Sequence, residues 1–207
     1  MLEVIILAAG QGRRMQSSLP KVLHTLAGQP LVVHVLERAR KLGAQQIHVV
    51  VGHGAEAVEA TVSAGDVQCH WQAEQWGTGH AVQQAIDACQ ADSTVLVLFG
   101  DVPLIAEQTL REVISAAKTG VAMLSANLEN PSGYGRVERD LQGEFIAVVE
   151  EQDATEAQRQ LTEINTGVLA SNADALKAWL ARVDNQNAQS EFYLPDVLGL
   201  ARLDGEV

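Results

Sequence analysis

The strongest constraint on this chain is an apolar run, Val4-Ile5-Ile6-Leu7, that opens without a break into Ala8-Ala9-Gly10-Gln11-Gly12-Arg13-Arg14-Met15 and on to Leu19-Pro20-Lys21. A strand with no polar alternation is buried on both faces, as in a parallel sheet whose crossover helices cover it. Glycine just past such a strand lets the backbone turn and leaves its N–H groups facing a ligand. Two arginines and a lysine follow Gly10 within eleven residues. Glycine-opened backbone and clustered cations at a strand's carboxyl end are what a triphosphate requires. The same residues also suit an ordinary strand-to-helix connection with solvated arginines, so the loop alone leaves both readings open.

Two common phosphate loops do not fit. The dinucleotide fingerprint G-x-G-x-x-G needs glycine where this chain has Met15, and the P-loop needs Gly-Lys-Ser/Thr where Gly12 is followed by Arg13-Arg14.

With 207 residues the chain is expected to form one large domain, or one domain with a small lobe. Its 47% hydrophobic content is that of a globular protein, and no apolar run approaches the length of a membrane span. No basic segment precedes the first strand, so no signal peptide is expected and a cytoplasmic location is the default. The net charge of −12, from 26 acidic and 14 basic residues, argues against nucleic acid and anionic membranes as partners. Six of the fourteen cations, Arg13, Arg14, Lys21, Arg38, Arg40 and Lys41, nonetheless lie in the first 41 residues. Cys69 and Cys89 form no C-x-x-C pair and are expected as buried, small apolar side chains. The six histidines show no metal-ligand spacing.

Along the chain, Leu31, Val32, Val35, Leu36, Ala39 and Leu42 keep helical spacing, with Pro30 at the start and Gly43 as the stop. Strands are expected over 47–51 and 67–71, with a short helix between them. Residues 72–80, QAEQWGTGH, then form a glycine-flanked loop feeding a helix whose apolar face carries Val82, Ala85, Ile86 and Cys89. The run Thr94-Val95-Leu96-Val97-Leu98-Phe99 is the clearest buried strand and ends in Gly100-Asp101-Val102-Pro103. Asp101 suits magnesium, which takes hard oxygen ligands and few protein carboxylates, or alternatively a cap on the next helix. That helix carries Leu110, Val113, Ile114 and Ala117; a strand over 121–126, a hairpin pairing 134–138 with 144–150, and an exposed helix over 153–160 come next. A strand over 164–170, a helix marked by Leu176, Trp179 and Leu180, and a last helix within 193–203 complete the pattern.

L-A-A-G-x-G-x-R-M followed by L-P-K-V-L resembles the signature of the sugar-phosphate nucleotidyltransferases. More closely, the chain is similar to the uridylyltransferase half of the bacterial bifunctional N-acetylglucosamine-1-phosphate uridylyltransferase/glucosamine-1-phosphate acetyltransferases. The similarity recurs in order at Pro20-Lys21-Val22-Leu23-His24, Gln72-Ala73-Glu74-Gln75, Gly77-Thr78-Gly79-His80-Ala81, Gly100-Asp101-Val102-Pro103-Leu104, Gly133-Tyr134-Gly135-Arg136 and Glu163-Ile164-Asn165-Thr166-Gly167. It implies an α/β, Rossmann-like (GT-A-like) nucleotidyltransferase fold: a mixed, mainly parallel sheet, helices on both faces, and a small β-rich sugar-binding lobe. The implied reaction carries UMP from UTP to N-acetylglucosamine-1-phosphate, giving UDP-GlcNAc, a cell-wall precursor, and pyrophosphate, with Mg²⁺ as cofactor.

The resemblance further implies that Leu7, Ala8, Ala9, Gly10 and Lys21 hold the nucleotide, with Arg14 and Lys21 acting in catalysis. Gln72, Gly77 and Thr78 would read uracil, and a glutamine amide offers a donor and an acceptor for its O4 and N3–H edge. Asp101 would hold the metal, and Gly135, Glu150 and Asn165 the sugar phosphate. Phe99 departs from the pattern, standing where a close relative has tyrosine. The family's second metal ligand, an asparagine, comes from a later segment that does not occur within these 207 residues. Nor do the hexapeptide repeats of the acetyltransferase half, through which relatives form homotrimers. A domain shortened at its carboxyl end, with weak activity, is therefore expected. Alternatives are a noncatalytic nucleotide-sugar binder, or an enzyme of the same fold with another base or sugar.

Overall fold

A computed structural model describes residues 1–12 and 15–206. The leading strand β1 (Leu2–Ala8) is completely surrounded: Val4, Ile5 and Ile6 have no exposed surface. It pairs in parallel with β4 (Gln46–Val51) on one side and β6 (Thr94–Phe99) on the other, and β4 pairs in parallel with β5 (Val67–Trp71). Between β1 and β4 lie a minute hairpin of β2 (Thr25–Leu26) and β3 (Gln29–Pro30) and the helix α1 (Leu31–Leu42). Pro30 thus ends the hairpin and caps α1 from outside. Gly43 stops α1 in the left-handed conformation, its N–H reaching the carbonyls of Ala39 and Arg40, as its sequence position suggests.

α2 (Ala55–Val62) joins β4 to β5, α3 (Thr78–Ile86) joins β5 to β6, and α4 (Glu107–Ala116) follows β6. The apolar residues divide cleanly between two cores. Val4, Ile6, Val49, Leu96 and Leu98 meet α1, α2 and α4 on one face. Ile5, Leu7, Val50, Val95 and Val97 meet α3, α6 (Ala173–Leu180) and α7 (Asp196–Leu203) on the other. Period-two alternation of apolar side chains is what lets one strand feed both cores.

Beyond β6 the sheet changes sense. β10 (Glu163–Asn172) enters antiparallel between β6 and β7 (Val121–Asn127), and its first half also meets β8 (Arg136–Arg139). β8 and β9 (Phe145–Val149) form the expected antiparallel hairpin, and α5 (Glu156–Arg159) follows, started by a capping box between Thr155 and Gln158. The result is an eight-stranded mixed sheet. Its parallel half ends in one cluster of loops, and its antiparallel half faces them across β10.

The cysteines differ from expectation. Both are only half-buried, and they pack on opposite faces of the sheet, Cys69 on the α1 side and Cys89 on the α3 side, just past the end of that helix. Sequence spacing shows no metal pattern, yet the fold brings donor atoms of Glu3, His48 and Cys89 within 4.8 Å of one another. Burial and the nearby Glu3 charge push the Cys89 thiol up to about 12, so it is a poor thiolate. Hydrogen bonds account for the other two: Glu3 accepts at 2.9 Å from the Gln90 N–H and lies 2.9 Å from His48 Nε2.

Candidate active site

Three loops converge at the carboxyl ends of the parallel strands. The one after β1 is tied down where the Gly100 N–H donates to the Leu7 carbonyl (2.9 Å) and the His53 N–H to that of Ala9 (3.1 Å). Gly12 takes the left-handed conformation in this loop (φ 61°), as Gln16 does further on, and a Cβ at Gly12 would sit 2.7 Å from the Cβ of Lys21. Gly10 needs no such conformation and has nothing within 4 Å of where a Cβ would stand. Its missing side chain keeps the cavity wall open, and Gly12 makes the turn. Lys21 starts a single 3₁₀ turn (Lys21–Leu23) whose Val22 and Leu23 are buried, so its stem is anchored while the ammonium remains half-exposed. That ammonium forms an ion pair with Asp101, which follows β6. Arg13 and Arg14 lie outside the described residues, and with them the catalytic role expected of Arg14.

A cavity of about 460 Å³ is lined by Leu7, Ala8, Ala9, Gly10, Lys21, Gln72, Gly77, Thr78 and Asp101, together with Gly12, Gln75, Ala81, Phe99 and Glu191. A second, of about 530 Å³, is lined by Gly135, Glu150 and Asn165 with Ser132, Tyr134, Thr166, Gly167, Leu194 and Pro195. Lys21, Thr78, Phe99 and Asp101 line both, so the two cavities adjoin across the Lys21–Asp101 pair. One ion pair stands between two clefts, each large enough for part of a substrate.

In the first cavity Gln72 is almost wholly buried, and its Nε2 lies 3.2 Å from the Gly77 carbonyl and 3.0 Å from His80 Nδ1. The Gln72 N–H groups are thus turned toward Gly77 and His80 inside the protein, whereas the sequence reading expects this amide to offer both a donor and an acceptor to a base. Thr78 accepts at its hydroxyl from the Leu194 N–H (3.0 Å), and Gly79 N–H donates to Phe192 (2.8 Å). These bonds fasten the start of α3 to the segment before α7.

In the second cavity the Asn165 side-chain oxygen accepts from the Gly167 N–H (2.8 Å), and the Asn165 N–H donates to Gly135 (2.9 Å). The β10 ladder slips register against β7 between Asn165 and Leu169, a bulge in this wall. Phe99 fills the bulge with its ring against Gly167. Burial, then the charges of Asp196, Asp153 and Glu191, raise the Glu150 carboxyl above the usual range.

The family is decided by the sequence match over this frame. A model of the MobA-like NTP transferase domain matches residues 4–164, which takes in the β1 loop, the loop at 72–77, Asp101, Gly135 and Glu150. The chain belongs to that family. It is also 50% identical over 206 residues to the Bifunctional protein GlmU of Cellvibrio japonicus, covering 99% of this chain and 46% of the relative. The chain therefore spans about half the length of that relative and matches its N-terminal part. Among solved structures, a protein described as a glucose-1-phosphate thymidylyltransferase from Bacillus anthracis, in complex with a sucrose, superposes with a TM-score of 0.83 at 17% identity. It is matched over 100% of this chain and 85% of its own. A UDP-glucose pyrophosphorylase complexed with UDP-glucose gives 0.83 at 15% identity, over 100% and 89%. At such identities these two speak for the fold alone.

In this NTP transferase, sequence reasoning gave no role to Glu191, nor to Gln75, Tyr134 and Thr166, which line the cavities and stand within the matching blocks, Thr166 on β10 and the other three in loops. It also passed over Asp196 in the first turn of α7, whose carboxyl is pushed up to about 6 by burial and by the charges of Asp184 and Asp153. A folded value above the unfolded one means the native state binds more protons, so stability falls as pH rises from about 4 to about 6. Asp196→Asn removes that loss. It is expected to stabilise the protein at pH 8 by about 1–2 kcal/mol, discounted for partial exposure, and to change little at pH 4. Urea denaturation at both pH values checks this; an equal effect at both would show that Asp196 is not the group responsible.

Proposed function

We propose that this chain transfers a uridylyl group from UTP to N-acetylglucosamine-1-phosphate, giving UDP-N-acetylglucosamine and pyrophosphate. The observation that carries the reading is the shared wall: a nucleotide in the first cavity and a sugar phosphate in the second would bring their phosphates together at Lys21 and Asp101. The similarity to the N-terminal part of a bifunctional relative supports the choice of base and sugar.

A phosphate oxygen of the sugar phosphate attacks the α-phosphorus in line. The new O–P bond forms as the bond to the bridging oxygen breaks, and its electron pair leaves with pyrophosphate. No covalent enzyme nucleophile takes part, so the work of the side chains is to position two anions and stabilise developing charge. The Lys21 ammonium would donate to the phosphate oxygens, while backbone N–H groups of the β1 loop hold the nucleotide's other phosphates. Glu150 would accept from sugar hydroxyls, and the Asn165 amide, whose oxygen is taken by Gly167, has its N–H groups left to donate. Nucleotidyltransferases of this family are typically metal-dependent. Asp101 suits a magnesium ion, a hard cation content with one or two carboxylates beside phosphates and water, and the ion would screen the phosphates' charge.

Calorimetric titration with UTP, CTP and GTP tests the base. UTP is expected to bind at least about tenfold more tightly than either, the worth of one mismatched hydrogen bond in a buried site. Equal affinities would remove the uracil assignment, and a preference for CTP or GTP would point to a different nucleotidyltransferase.

A further inference from the structure

We propose that His80 is a positioning residue for base selection: it holds the Gln72 amide so that only its carbonyl oxygen meets the base. This rests on the first cavity taking a nucleotide base, as argued above.

Gln72 is nearly without exposed surface, and a buried amide adopts whichever of its two orientations satisfies its neighbours. One neighbour, the Gly77 carbonyl, can only accept, and it lies 3.2 Å from Nε2. The other, His80 Nδ1, lies 3.0 Å from the same nitrogen and accepts when the ring carries its proton on Nε2. In that tautomer both amide hydrogens are used within the protein. Among the described residues no hydrogen bond to the Gln72 Oε1 occurs, and Gln72 lines the cavity, so an acceptor is what it offers there.

Without His80, a flipped amide would forfeit one bond, to Gly77. With His80 protonated on Nε2 the second amide hydrogen is tied as well, and a flip would cost the Gly77 bond and demand a change of the His80 tautomer besides, so the preference for one orientation becomes stronger. The ring is itself held in place, tilted between Trp76 at a centroid distance of 5.1 Å and Phe192 at 6.4 Å. Uracil presents acceptor, N3–H donor and acceptor along its pairing edge, whereas cytosine presents an unprotonated N3 and an amino group. An acceptor set opposite N3 takes the uracil N–H and faces a lone pair on cytosine, so a fixed orientation becomes base selectivity. Thymine shares the uracil edge and is not excluded by this contact.

The experiment measures UTP and CTP dissociation constants for the parent and for His80→Phe, His80→Asn, Gln72→Ala and His80→Phe/Gln72→Ala. His80→Phe keeps a ring between Trp76 and Phe192 but removes the acceptor. It is expected to lower the CTP/UTP ratio of dissociation constants about five- to tenfold, chiefly by weakening UTP. His80→Asn, whose side-chain oxygen can replace Nδ1, is expected to restore the ratio to within about threefold. In the Gln72→Ala background, His80→Phe is expected to leave the ratio unchanged, because the group it positions is gone. A purely structural His80 would act alike in both backgrounds. A parent that binds UTP and CTP equally overturns the uracil reading and the role of His80 together. A discriminating parent whose ratio survives His80→Phe, or falls equally with and without Gln72, overturns the role of His80 alone.

Discussion

Lys21→Ala is expected to lower turnover by about 10²–10³, the usual cost of removing one preorganised electrostatic contact to a reacting group. The ammonium is placed by the backbone: Val22 and Leu23 anchor the 3₁₀ turn in the core, and Gly12 packs against the base of the side chain. Its position beside Asp101 admits two roles, donation to phosphate during transfer or simple neutralisation of the carboxylate. They separate kinetically. A contact that strengthens in the transition state affects kcat far more than KM, whereas a counterion for Asp101 would act through binding. Lys21→Arg keeps the charge but not the compact geometry and is expected to recover only part of the rate. Pyrophosphate release under saturating UTP and N-acetylglucosamine-1-phosphate measures the effect. Turnover within a few-fold of the parent for Lys21→Ala would leave the counterion role alone standing.

Much of the fold was legible because it follows from short-range rules. The unbroken apolar runs within β1, residues 4–7, and β6, residues 95–99, leave no polar face, which specifies a covered parallel sheet, and Gly43 marks the end of α1. Antiparallel insertion of β10 between β6 and β7 was not legible, because it depends on pairing across about seventy residues, Ala170 with Leu96, that no local pattern encodes. The site divides in the same way. The family resemblance singled out Lys21, Gln72, Asp101, Gly135, Glu150 and Asn165, and all of them line the two cavities. What spacing could not reveal was how their polar groups are spent. The Gln72 N–H groups are engaged by Gly77 and His80, and the turn expected from Gly10 belongs to Gly12. Nor could it foresee that the Phe99 ring would fill a bulge at Gly167, a contact made between β6 and β10. Composition likewise offers no hint of the pairing between Glu3 and His48, since a glutamate at the start of an apolar strand reads as a solvated end.

That pair carries the largest expected effect on stability. Glu3 is 2% exposed and His48 has no exposed surface, and the carboxylate also accepts from the Gln90 N–H while His48 Nδ1 lies 3.0 Å from His70 Nε2. Burial pushes the Glu3 carboxyl up, but the hydrogen bonds with His48 and Gln90 outweigh it and leave the group below its usual range. A depressed folded value means this stabilisation is complete above the unfolded value near 4.5 and is lost as pH falls through the folded one. Glu3→Ala leaves His48 and the Gln90 N–H without the carboxylate in a buried site. The expected cost at pH 7 is about 2–4 kcal/mol, for two buried groups left without their acceptor. Replacing both partners, Glu3→Leu with His48→Phe, is expected to cost far less, because no polar group is then stranded. The first cavity lies at the other end of β1, at Leu7 and Ala8, about 13–17 Å along the strand from Glu3 at about 3.3 Å per residue, so the UTP/CTP ratio is expected to hold in both proteins. Urea denaturation with a parallel binding measurement decides the matter. A Glu3→Ala protein within about 1 kcal/mol of the parent, or a double variant no better than the single one, would show that the pair is not what holds this end of the sheet.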